Sequence, residues 1–201
     1  MLPTAQVACH AVRMSTATRV PASRRAVRLT GVLLAGAAVA IALGVYAHEH
    51  KPALRPLFLF GFSGMLQMKT WLATAVLAFL IVQVLTASWM WRRLPGAGRP
   101  PAWVAPTHRY SGAIAFAISV PVALHCLWSL GFETTSTRVL LHSLLGCVFY
   151  GAYASKMLSL RIRDLPGWLL PVLGGTAFAA FVGLWLTSAV WFFSRSGLPL
   201  T

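Results

Sequence analysis

The chain has 201 residues, of which 58% are apolar and only 10% charged. A water-soluble domain carries about 25% charged residues, so most of this surface faces something other than water. The net charge of +14 does not mark a nucleic-acid binder, because the Lys and Arg residues cluster between apolar runs, where they orient membrane spans, and no basic nucleic-acid motif is present.

Residues 1–28 are polar and contain Arg13, Arg19, Arg24, Arg25 and Arg28. They read as a disordered cytoplasmic tail. The first apolar run, 29–47, has the length of a membrane-crossing helix, since about 20 helical residues traverse the hydrocarbon core. Ser23-Arg24-Arg25-Ala26-Val27-Arg28-Leu29 also looks like a twin-arginine export signal, with Val45-Tyr46-Ala47 as a cleavage site. The apolar run exceeds the usual signal core, which favours a retained helix.

Residues 48–69 form a connection. Its stretch Leu57–Met65 is apolar and interrupted by Gly61 and Gly64, so it is expected to lie at the interface or dip back into the bundle. A second span is expected over 70–91. The connection 94–107 carries Pro95, Pro100, Pro101 and Pro106, which prevent a continuous helix. Further spans follow at 108–131, 138–160 and 168–193, leaving 194–201 as a short outer tail. The expected architecture is therefore all-α, a membrane bundle of five helices.

Twelve Lys and Arg residues fall in the tail and in the 92–109 and 156–163 regions. The five others are Lys51, Arg55, Lys69, Arg138 and Arg195. The positive-inside rule then places the N-terminus in the cytoplasm and the C-terminus outside the cell membrane. Trp71, Trp89, Trp91, Trp128, Trp168 and Trp191 lie near span ends, where interfacial tryptophans gather.

The only carboxylates, Glu49, Glu133 and Asp164, fall in connections, which weakens a proton-coupled transporter or intramembrane hydrolase. There is no Ser-His-Asp pattern, no glycine-rich nucleotide loop and no internal repeat. Cys9, Cys126 and Cys147 lack metal-ligand spacing and read as free thiols.

Histidine remains. His125 and His142 sit in apolar spans, roughly 9 and 6 Å from the same outer helix ends at about 1.5 Å per residue. Two imidazoles at matching depth can hold one haem iron between them. Gly146, one turn after His142, would leave room for a flat macrocycle. Pro121 is expected to kink the third span and free the Ala117 carbonyl. Packed helices approach to about 8–10 Å, so a haem requires those helices to splay, or a substitute ligand from His48 or His50. The positions fourteen residues from each histidine, which a second haem would use, are Ser111 and Lys156. His108 is assigned to headgroups or a cytoplasmic partner.

His108-Arg109-Tyr110-Ser111-Gly112, Pro121 through Cys126, Arg138 through Cys147, Gly61-Phe62-Ser63-Gly64 and Met68-Lys69-Thr70-Trp71 together resemble an uncharacterised family of five-span bacterial membrane proteins. More distantly, the membrane histidines resemble those of transmembrane b-type cytochromes and ferric reductase-like proteins. That resemblance implies a haem b held by His125 and His142, exchanging electrons with a quinol or an outer-face redox protein. Two other readings stand beside it. One is a non-catalytic scaffold or accessory subunit whose histidines fasten helices together. The other is an outer copper or zinc site formed by His48, His50, His125 and His142.

Overall fold

The computed structural model of the chain describes residues 22–198. Its elements are α1 (Ala22–Glu49), α2 (Met65–Met90), α3 (Val104–Leu124, continued by a π-helical stretch His125–Leu130), α4 (Thr137–Ser159) and α5 (Leu169–Trp185). A second π-helical stretch, Leu186–Val190, joins α5 to the short α6 (Trp191–Ser196). No strand occurs among the described residues. Four helical stretches, α1, α2, α3 with its continuation, and α5 through α6, are long and apolar enough to cross a membrane. The fifth, α4, has spanning length but carries Arg138, His142, Ser143, Ser155 and Lys156. The chain is an all-helical integral membrane protein. Leu34, Ile41 and Val45 of α1 are each more than half exposed, an apolar perimeter suited to lipid.

Residues 22–28, expected in the tail, instead form the first turns of α1. Arg and Ala are good helix formers, and Arg28 pairs with Asp164 at 3.1 Å, fixing this end of α1 beside the 160–168 connection. The remainder of the expected tail, with Cys9, lies outside the described residues, as do residues 199–201.

Neighbouring helices run antiparallel. One end of the bundle, here the basic end, carries residues 22–28, 91–103 and 160–168. The other, the strap end, carries residues 50–64 and 131–136. The principal pairings are α2 with α3, α4 with α5, α1 with α4, and α2 with α5. Ala73, Val76, Ala115, Phe149, Ala177 and Phe181 form the core between α2, α3, α4 and α5.

α1 lies outside that core and packs on α4 through small residues. A Cβ at Gly36 would overlap Ser155 Oγ, and one at Gly151 would come within 2.7 Å of the Gly36 carbonyl oxygen. Ser155 Oγ donates to the Val32 carbonyl at 3.0 Å. This is the close backbone approach that small residues permit between membrane helices, where dispersion and hydrogen bonds replace a hydrophobic drive.

α1 and α3 meet chiefly at the strap end. There α3 stops at Gly131, whose φ of +74° suits glycine. Its Cα also presses on α1, since a Cβ would lie 3.1 Å from the Ala47 carbonyl oxygen. The Phe132 amide donates to that same oxygen at 2.8 Å.

Candidate functional site

The last turns of α3 and the 50–64 segment are built together. Pro121 supplies no amide hydrogen, and the helix widens to π geometry from His125 onward. The final carbonyls of a helix lack intrahelical donors. Here Ala53 N–H donates to the Trp128 carbonyl and Leu54 N–H to the Ser129 carbonyl, each at 3.1 Å. Ser129 Oγ in turn donates to the Arg55 carbonyl at 2.8 Å. The segment is thus a strap folded over the end of α3. Irregular backbone at membrane depth is tolerated where protein buries it.

His125 is the centre of this joint. It is fully buried. Its Nδ1 lies 2.8 Å from the Pro121 carbonyl, the Leu57 amide donates to Nε2 at 3.2 Å, and the Phe58 carbonyl lies 3.1 Å from Nε2. In the neutral ring Nδ1–H donates to Pro121 and Nε2 accepts from Leu57. The Phe58 ring meets the imidazole edge-on at 4.6 Å. Both nitrogens therefore have protein partners.

His142 occupies a different setting. It lines a cavity of about 410 Å³ between α1, α3, α4 and α5, walled by apolar residues such as Leu43, Val122, Leu130 and Phe181, with Gly146 also on its lining. α3 and α4 are not among the closely packed helix pairs, so the splaying that a ligand between them requires is present. Deeper in the bundle, Tyr150 donates to the Ser119 carbonyl at 3.0 Å, and Phe116 stacks on Tyr153 at 4.5 Å with a 6° interplanar angle. These aromatic contacts reconnect α3 to α4 below the cavity.

The imidazole of His142 has a defined orientation. Thr187 Oγ1 donates its single hydrogen to the Gly183 carbonyl at 2.7 Å, so it accepts from His142 Nδ1–H at 3.1 Å. In the neutral ring Nε2 is then the nitrogen with the lone pair. Arg138 supports this corner, donating to the Thr187 carbonyl at 2.6 Å and lying 4.2 Å above the Trp191 ring. The Cys126 thiol lies against both His142 and Lys69, and it lines the same cavity. Cys126, Lys69 and Thr187 were not among the site residues expected from the sequence. Only Cys126 carries a local signal, since it follows His125 and points about 100° around the helix from it.

The predicted haem ligands are therefore not presented to one space. His142 and Gly146 line the cavity, whereas His125 faces the strap. An iron held between the two imidazoles does not fit these residues, because His125 would have to abandon Leu57 and leave a buried amide unpaired. Nor do the metal candidates converge. His48 meets Phe132 edge-on at 6.5 Å, and His50 lies between Tyr46 at 5.3 Å and Trp128 at 4.5 Å. No three His, Cys, Asp or Glu side chains gather in metal-binding fashion among the described residues. His108 Nδ1 contacts Thr86 Oγ1 at 2.9 Å, and Gln83 donates to Ser111 Oγ at 2.7 Å. These two contacts tie α3 to α2.

The fold and site define a five-helix integral membrane protein with an apolar cavity bearing a small polar cluster on its wall. Residues 29–200 match the family of unknown function DUF6529, and the chain belongs to that family. No curated protein and no solved structure matches it. The expected uncharacterised family thus has a counterpart in these comparisons, while the distant likeness to cytochromes and ferric reductases has none.

Proposed function

We propose that the protein binds a lipid-soluble molecule with a hydrogen-bonding head, of the quinol class, in the cavity between α1, α3 and α4. The observation that carries this reading is the pair His142 and Cys126 on the wall of a mostly apolar cavity, whose few other polar lining groups include Ser143, Ser188 and Glu133. An apolar pocket with a few convergent polar groups is the usual form of a small-molecule site. The lone pair on Nε2 of the neutral His142 ring suits a hydroxyl donor, and the Cys126 thiol on the same wall is a weak donor for an oxygen acceptor. With the basic end in the cytoplasm, as the positive-inside rule favours, the cavity lies in the outer half of the membrane. The seam between α1 and α3, closed chiefly at the strap end, gives a path from the bilayer.

Titration of the detergent-solubilised protein with short-tailed ubiquinol and menaquinol analogues, read by tryptophan fluorescence, tests this. Saturable quenching is expected, with His142→Ala weakening affinity at least about tenfold, or about 1.4 kcal/mol. Equal affinity in the variant, or no saturable binding by the wild type, would defeat the proposal. The second result would favour the scaffold reading, which rests on the strap-bound His125.

A further inference from the structure

A second, smaller cavity of about 90 Å³ lies nearer the basic end, between α2, α3, α4 and α5. Its lining includes His108, Tyr153 and Lys156 among apolar residues such as Leu80, Phe116 and Phe178. Tyr153 and Lys156 are three residues apart and share one face of α4. At about 1.5 Å per residue, Lys156 lies about 5 Å inside the end of α4 and His108 about 6 Å inside the start of α3. This is the depth of lipid headgroups rather than of the hydrocarbon centre.

Lys156 has no counter-charge among the described residues. The one ion pair among the described residues joins Arg28 to Asp164. Of the other two carboxylates, Glu133 lines the first cavity and Glu49 ends α1, both at the strap end. Neither the Lys156 ammonium nor the Tyr153 hydroxyl has a hydrogen-bond partner among the described residues. An ionised group within a membrane helix is costly unless paired, and no described residue supplies the pairing charge. The polar neighbours are already engaged. Thr86 Oγ1 donates to the Val82 carbonyl at 2.6 Å and accepts from His108 Nδ1, while the Gln83 amide is spent on the His108 carbonyl and Ser111.

We propose that this cavity binds a phosphate-type oxyanion, with the Lys156 ammonium and the Tyr153 hydroxyl as its donors. The cavity is too small for a nucleotide. It suits either the headgroup of an anionic phospholipid or a free phosphate. Basic pockets between membrane helices on the cytoplasmic side are known to take lipid phosphates, and Arg109, Arg161 and Arg163 at the same end add attractive potential. The site is independent of the first cavity and of what occupies it.

The test uses the full-length protein in phosphatidylcholine nanodiscs. Thermal unfolding is followed in chloride, in inorganic phosphate at equal ionic strength, and in discs containing phosphatidylglycerol. A ligand that binds only the folded state raises Tm. Stabilisation by inorganic phosphate identifies a soluble ligand, and stabilisation by phosphatidylglycerol alone identifies a lipid headgroup. In either case Lys156→Met is expected to weaken the apparent affinity at least about tenfold while Lys156→Arg retains it. No stabilisation by either anion, or equal stabilisation of wild type and Lys156→Met, overturns the proposal. Tyr153→Phe serves if the methionine variant does not fold: it too must weaken the response, and an unchanged response is a refutation.

Discussion

The Leu57 amide donates to His125 Nε2 at 3.2 Å, joining positions 68 residues apart in the chain. Together with the contact of Nδ1 to Pro121, this makes the imidazole a clasp between the strap and the widened end of α3. The strap holds Leu54 and Phe60 at positive φ, +53° and +48°. Such backbone costs of order 1–3 kcal/mol per residue and persists only where the surroundings impose it.

His125→Ala should therefore loosen the strap before it harms the bundle. Removing one partner of a buried hydrogen bond costs about 1–3 kcal/mol, and here the Leu57 amide is left without its acceptor. Hydrogen exchange should show faster amide exchange for residues 53–58, with the cores of α2 and α5 unchanged. Wild-type protection across that segment in the variant would show that the clasp is dispensable.

Because His125 is committed to the strap, the purified protein is expected to show no Soret band after expression with supplied haem, oxidised or reduced. A band abolished by either His125→Ala or His142→Ala would refute this and restore the bis-imidazole reading.

The close contact of α1 with α4 makes a separate prediction. Gly151→Leu places a branched side chain where even a Cβ would lie 2.7 Å from the Gly36 carbonyl oxygen and 2.9 Å from Ala40 Cβ. Overpacking of this kind costs about 1–3 kcal/mol or more. The variant should lower Tm and let a cysteine pair spanning α1 and α4 crosslink less efficiently. Gly174→Leu is the control, because nothing lies within 4 Å of a Cβ at that position. Equal effects from the two substitutions would count against the glycine contact.

What the sequence disclosed and what it concealed divide along physical lines. Long apolar runs announce spans because the hydrocarbon core admits little else. Four of the five expected spans are helices apolar enough to cross a membrane, and the fifth, α4, is a helix of spanning length with polar residues along it. The start of α1 was concealed by Arg24, Arg25 and Arg28, which are polar yet favour helix. The matched depth of His125 and His142 follows from counting residues, but their azimuth does not. It depends on Pro121, on the π-helical widening that begins at His125, and on a strap whose partners lie some seventy residues away. A rotation of one residue separates His125 on the strap from Cys126 on the cavity. The polar groups beside Cys126 and His142, Lys69 and Thr187, come from other helical stretches, so no local pattern could have paired them with His142.

The last prediction concerns orientation. The excess of Lys and Arg in residues 22–28, 92–109 and 156–163 predicts, by the positive-inside rule, that the basic end faces the cytoplasm. Gly98 and Thr134 are exposed positions in connections at opposite ends of the bundle. In a background with Cys9, Cys126 and Cys147 replaced by serine, Thr134→Cys should react with a membrane-impermeant maleimide on intact cells. Gly98→Cys should react only after permeabilisation. The reverse pattern would invert the protein, moving the His142 cavity to the inner half of the membrane and the Lys156 cavity to the outer half. Both ligand assignments would then have to draw on the opposite leaflets.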